Sequence, residues 1–218
     1  MNKISVSDFA FFTPPENDLK QMPKLEFCDP LFRRRLSQIS RMTIQVVHDL
    51  IQKNSDVQNY KIVFSSFRGE LSRQFKINKS LIEDGEITPA NFSISVFNTP
   101  VAATTIACKI KNGYSAIYPS DNDFNSSVLC AASSILSGEE EKIIFVYADE
   151  FISEEYLPLL KNSKTISKEN FKPLAFACLF EKLEFASSRN SSSKIEIDLS
   201  KKFDSPSDFL TFLQTSQK

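Results

Sequence analysis

Tryptophan is absent from this 218-residue chain, glycine occurs four times and histidine once. So little glycine argues against loops that cradle phosphate through bare backbone. No G-x-G-x-x-G or Walker pattern is present either, which removes nucleotide binding of that kind. With His48 as the sole histidine, a catalytic histidine pair cannot come from this chain. The four cysteines, Cys28, Cys108, Cys130 and Cys178, lie far apart with no C-x-x-C among them. A disulfide framework or a zinc site would need paired spacing, so neither a metal nor a cofactor is expected. Three of the four stand in apolar runs, the usual setting of free, buried thiols, and the chain reads as reduced and cytoplasmic. No apolar stretch approaches the length of a membrane span. The opening Met1–Val6 turns acidic at Asp8 before a long apolar run develops, unlike a signal peptide. A formal net charge of −1 leaves no electrostatic footprint for nucleic acid.

What the chain does contain is an ordinary globular balance, 41% hydrophobic and 24% charged, with 20 phenylalanines to supply core volume. The length suits one domain over residues 1–218. Ile4–Phe12 reads as a strand closed by Thr13-Pro14-Pro15. Leu31–Asn54 gives the strongest helix pattern, because Leu36, Ile39, Met42, Thr43, Val46, Val47 and Leu50 recur at steps of three and four. Lys61–Ser66 reads as a strand, followed by a helix from Glu70 to about Ser80. A further helical stretch begins near Thr88-Pro89 and continues through Pro100–Lys109. Tyr114–Tyr118 is a short strand. Asp121–Ser137 is a helix, with Asp121 or Asp123 as N-cap and Gly138 just past its end. Lys142–Ala148 is apolar throughout, the mark of a strand covered on both faces. Leu174–Leu183 is another long apolar run, Lys194–Leu199 an edge or final strand, and Asp204–Gln214 a closing helix. Ser187–Ser193 reads as a low-complexity turn. Strands alternating with helices imply a layered α/β fold around a mixed sheet.

Four segments carry a resemblance. Arg33-Arg34-Arg35-Leu36-Ser37-Gln38-Ile39-Ser40-Arg41-Met42 is similar to a basic R-R-R-L-S-x-x-S-R-M helix, and Phe64–Leu71 to a strand-to-turn F-x-S-x-x-G-E-L. Thr88–Asn98 is similar to S-P-x-x-F-S-x-S-V-H-N, with Phe97 standing where the pattern has His and Asn98 retained. Val146-Tyr147-Ala148-Asp149-Glu150 is similar to V-Y-A-D-E. Their order and spacing, from the first helix to about Cys178, resemble the β-ketoacyl synthase N-terminal-like family, found beside pigment, aryl-polyene or fatty-acid-type gene sets. The resemblance implies one half of the thiolase-like architecture, a mixed sheet layered between helices. Full ketosynthases carry two such halves, and this length leaves room for one.

The family's nucleophile is a Cys where a helix opens, since a helix start favours a thiolate and offers N–H donors to an oxyanion. It follows the Gly of the preceding strand by about nine residues, and counting from Gly113 lands on Asn122, which is no nucleophile. The expectation is therefore a catalytically silent subunit that associates with itself or with a ketosynthase, and engages an acyl carrier protein. Arg33, Arg34, Arg35 and Arg41 have two readings. They form a solvated face salt-bridged to Asp29 or Glu16, or they dock the carrier protein or its phosphopantetheine phosphate. Arg68, beside Gly69 and Glu70, is expected to hold the strand end if buried. Asp149 and Glu150 sit where a buried strand ends, a place where α/β sheets often face a site; capping the next turn is the other role. Leu129-Cys130-Ala131-Ala132-Ser133-Ser134 imitates a nucleophile turn, but Cys130 falls about two turns inside its helix. It reads as a packing residue. The enzymatic alternative is an acyltransferase or thioesterase that uses Cys130, or a Ser, with His48; the plain reading of His48 is a helix-end interaction.

Overall fold

Side-chain alternation along β4 (Lys142–Asp149) sets the plan of the molecule. Ile144, Val146 and Ala148 face one core and Ile143, Phe145 and Tyr147 the other, and all six are buried. The computed structural model describes residues 3–119, 123–156, 172–183 and 194–217; the Ser187–Ser193 turn expected from sequence lies outside them. Among the described residues, six strands form one sheet in the order β3-β2-β4-β5-β1-β6. β2 (Lys61–Ser65) runs parallel to both β3 (Tyr114–Ile117) and β4. β5 (Leu174–Lys182) pairs antiparallel with β4 and β1 (Lys3–Phe12), and β6 (Ile195–Asp198) closes the far edge against β1. The mixed sheet layered between helices is the architecture expected from sequence.

One face of the sheet is covered by α2 (Gln38–Lys53) and α5 (Thr99–Cys108). The other is covered by α6 (Phe124–Ser137) and α7 (Pro206–Ser216). The second core explains the phenylalanine usage. Phe124 meets Phe145, Tyr147, Phe176 and Phe209 with ring centroids 5.5–6.2 Å apart, edge-on or tilted. Each fully buried ring contributes roughly 1.5–3 kcal/mol of transfer free energy, so this cluster holds α6 and α7 to the sheet without a tryptophan.

The single helix expected over Leu31–Asn54 is two. α1 (Pro30–Arg34) ends before Ser37, whose hydroxyl caps α2 by accepting from the Ser40 N–H at 3.2 Å. Asp29 caps α1 in the same way, at 2.8 and 3.1 Å to the N–H groups of Leu31 and Phe32. The break puts Arg33 and Arg34 in the last turn of α1, where the dipole favours cations, and not in the first turn of a longer helix. The helical stretch expected from Thr88 to Lys109 is likewise divided, into α4 (Pro89–Ser93) and α5, with Ile94–Asn98 between them. α3 (Leu71–Asp84) runs past Ser80 to stop at Gly85 in the left-handed region. α1, α3 and α4 contain no buried residue and lie on the outside of the first layer.

Candidate functional site

The parallel strands β2 and β4 deliver two polar turns to the same end of the sheet. Ser66 follows β2, and its hydroxyl donates to Asp149 Oδ1 at 2.7 Å while accepting from the Gly69 N–H at 2.7 Å. Arg68 spans both turns. Its backbone N–H donates to Asp149 Oδ1 at 3.1 Å, and its guanidinium lies 3.5 Å from both Asp149 Oδ2 and the Glu150 carbonyl. With side-chain exposures of 7% and 2% this ion pair is architectural, the role expected for a buried Arg68. Asp149 therefore secures the strand ends instead of facing an open site. The Tyr147 hydroxyl also donates to Asp149, and burial, followed by that carboxylate, pushes the phenol well above its ordinary range.

Gly69 has φ +57°, and a Cβ there would lie 2.7 Å from the ring of Phe97. The Phe97 that replaces His therefore packs on bare backbone, and its ring also meets Phe64 and Tyr118. Asn98 donates from Nδ2 to the Tyr114 hydroxyl at 2.9 Å, which ties the start of α5 to β3.

Glu70 is fully buried at the break between α1 and α2. It accepts from Ser37 and Ser40 at 2.7 Å each and pairs with Arg73 Nε at 3.0 Å. Burial raises its carboxyl, and the two hydroxyls and Arg73 offset this in part. Sequence reasoning missed Ser37, Ser40 and Arg73; the signal available was two serines and an arginine with a buried glutamate otherwise unmatched. Glu150, 3% exposed, accepts from the Ser72 N–H at 2.9 Å. Burial first, then Glu70 and Asp149, push its carboxyl up to about 7. It lines a cleft of about 830 Å³ between α3, α4 and the chain after β4, which the sequence did not disclose.

The arginine cluster is divided by the fold. Arg33 donates to the Lys24 carbonyl at 3.2 Å, and Arg41 to the carbonyls of Pro23 and Arg33 at 3.3 and 2.7 Å, so both staple the segment before α1. Arg34 and Arg35 are exposed. The expected salt bridges to Asp29 or Glu16 do not form, because Asp29 caps α1 and Glu16 pairs with Lys172 at 2.9 Å.

Asn122 and Asp121 lie outside the described residues. The start of α6 is occupied by its own neighbours. Asp123 accepts from the Asn125 N–H at 3.0 Å, and the Asn125 side chain is held by Asp123 and by Phe203. Cys130 corrects an expectation, since it is exposed and not a packing residue. The inward stripe of α6 is Val128, Ala131, Ala132 and Ile135, and Cys130 points away from it. Cys108 and Cys178 are buried, as thiols in apolar runs are expected to be, Cys28 is buried as well, and burial pushes the Cys108 thiol up to about 12. The pairing of Cys130 with His48 is also overturned. α6 lies on one face of the sheet and α2 on the other. His48 stacks flat on Phe27 at 3.6 Å, and among the described residues no Ser hydroxyl is a hydrogen-bond partner of it. Among the described residues no three His, Cys, Asp or Glu side chains cluster as metal ligands.

Around β3 the surface changes character. The edge strand reads Tyr-Ser-Ala-Ile, and neither α5, which packs beside it, nor α6, on the other face of the sheet, contains a charged residue. Ile106 of α5, Tyr118 just past β3, and Leu129 and Leu136 of α6 are 70%, 61%, 49% and 42% exposed. At the opposite edge, β6 carries Glu196 and Asp198, the first paired with Lys3.

The family model described as beta-ketoacyl synthase, N-terminal domain, matches residues 13–216. The chain belongs to this family. The match extends beyond the span in which the sequence motifs lie, through α7. No curated protein matches this ketosynthase domain in sequence. Among solved structures it is similar to the complex of a ketosynthase (ApeO) with its chain length factor (ApeC) from Xenorhabdus doucetiae. There the identity is 25% and the TM-score 0.64, covering 83% of this chain and 79% of that one. A β-ketoacyl synthase from Burkholderia phymatum aligns at 12% identity and TM-score 0.59, over 88% of this chain and 62% of that one. The AntDE:AntF complex, a type II polyketide acyl-carrier protein with its ketosynthase, aligns at 15% identity and TM-score 0.64, over 87% and 66%. The last two comparisons carry the fold only, and the domain spans less than two thirds of each of those chains. The fold is thus the thiolase-like ketosynthase half that the motifs implied. No helix among the described residues is long and apolar enough to cross a membrane.

Proposed function

We propose that this chain is a catalytically silent ketosynthase-like subunit that supports acyl-chain condensation by pairing with a ketosynthase, in a type II fatty-acid or polyketide pathway of aryl-polyene type. The observation that carries the reading is the uncharged wall of α5, β3 and α6. A strand edge with free backbone groups and no charged residue is a template for another chain. Apolar side chains on both flanks supply the burial that makes association favourable. A resemblance to one member of a ketosynthase–chain length factor pair agrees with a partner of that kind.

Silence rests on the start of α6. Asn122 stands at the nucleophile position, and the Asp123 carboxylate takes up an N–H at the helix start. A second anion there is disfavoured, so this helix end does not activate a thiolate. Arg34 and Arg35, exposed at the end of α1, are the residues of the basic cluster left to meet an acidic carrier protein. Arg33 and Arg41 shape the loop behind them.

The test is co-expression with the full-length ketosynthase of the same gene neighbourhood, with light scattering on the purified material. A heterodimer is expected, or a homodimer for the chain alone. Ala116→Asp on the exposed β3 edge should dissociate either one while leaving the circular dichroism of the chain unchanged. A chain that stays monomeric both alone and in co-expression contradicts the proposal.

A further inference from the structure

None of the residues lining the cleft beside Glu150 belongs to α5, β3 or α6, and its chemistry is different. Part of its wall is apolar, with Leu36, Ile77, Ile94 and Phe151 half-buried around the space among polar and charged neighbours. Its volume of about 830 Å³ is within the range of small-molecule sites, roughly 300–1,000 Å³. It opens at the C-terminal ends of two adjacent parallel strands, where ligands of α/β sheets gather.

Charge matching at and beneath the cleft leaves one group over. Arg68 is matched to Asp149 and Arg73 to Glu70, but Glu150 has no cationic partner among the described residues. Its Oε1 accepts the Ser72 N–H, and the other acids near it, Glu70 and Asp149, repel its ionised form. A buried carboxylate facing carboxylates and no cation is a costly arrangement, and an incoming cation would relieve it. The remaining charged groups of the lining are Lys20 and Lys76 on the rim, against Asp84, Glu86 and Glu155. With Arg73 committed to Glu70, acids outnumber bases around the space.

We infer that this cleft binds a small amphipathic amine, its ammonium group on Glu150 and its hydrocarbon body along Leu36, Ile77, Ile94 and Phe151. The inference does not depend on the proposed partnership, and it is tested on the full chain by titration with n-hexylamine, followed by ¹H–¹⁵N NMR. The Ser72 amide, which donates to Glu150, should shift with saturation at pH 8. Apparent affinity should fall about tenfold at pH 6, where Glu150 takes up its proton while the amine remains charged. n-Hexanol should bind more weakly and hexanoate not at all. Glu150→Gln should abolish the response. Ile77→Trp, which fills the space without touching the carboxyl, should abolish it too. The inference is overturned by the absence of saturable binding at pH 8, by binding that ignores pH, by hexanoate binding as well as the amine, or by binding that survives either substitution.

Discussion

At the scale of single residues, Glu150 sets a pH dependence on the fold. Its carboxyl lies near 7 in the folded chain against an ordinary value of 4.5, because burial, Glu70 and Asp149 all disfavour the charged form. The folded state then holds this proton more tightly than the unfolded state does. Stability from this group is greatest below pH 4.5, is lost as pH rises through about 7, and is flat above that. The loss is on the order of 3 kcal/mol. Glu70, raised in the same direction, adds to it. Urea denaturation at pH 5 and pH 8 should therefore show Glu150→Gln gaining on the unsubstituted chain as pH rises. A stability difference that stays constant between those two pH values would contradict this account. Single positions also show where sequence reading stops. Cys130 appeared to be a packing thiol because α6 is uncharged on every side, and without a polar face the pattern does not say which side is inside. The helical period, through Val128, Ala131, Ala132 and Ile135, gives its outward direction once the sheet is in place.

At the scale of elements, the long apolar runs were the legible part. β4 is the strand expected to be covered on both faces, β5 falls in the other long apolar run, and the expected stripe from Ile39 to Leu50 lies among the buried residues of α2. The break before α2 was not legible, because Leu36 continues the stripe and the partner that fixes the break, Glu70, is 33 residues from Ser37. Ser37 works twice there, capping α2 and donating to Glu70. Ser37→Ala should thus cost more than an ordinary cap, about 1–3 kcal/mol by denaturant unfolding, since a buried carboxylate also loses a donor. A cost under about 0.5 kcal/mol, the size of an ordinary surface substitution, would show that the break is held by other contacts. The cleft escaped sequence reading for a similar reason. It is formed between α3, α4 and the chain after β4, segments brought together only by the parallel pairing of β2 and β4.

At the scale of the whole molecule, the two edges of the sheet differ in kind. β6 is protected by charge, while β3 and its flanking helices are uncharged and partly apolar. Such asymmetry directs association to one side. The motifs sufficed to place the chain among ketosynthase halves. They did not disclose how the Arg cluster divides between loop-stapling and exposed members, which depends on carbonyls of residues 23, 24 and 33. The most direct measurement of the central claim is intact-mass spectrometry on the co-purified pair after incubation with acylated carrier protein. The account predicts an acyl adduct on the ketosynthase and none on this chain. A stoichiometric adduct on this chain, lost on Cys130→Ala, would contradict it.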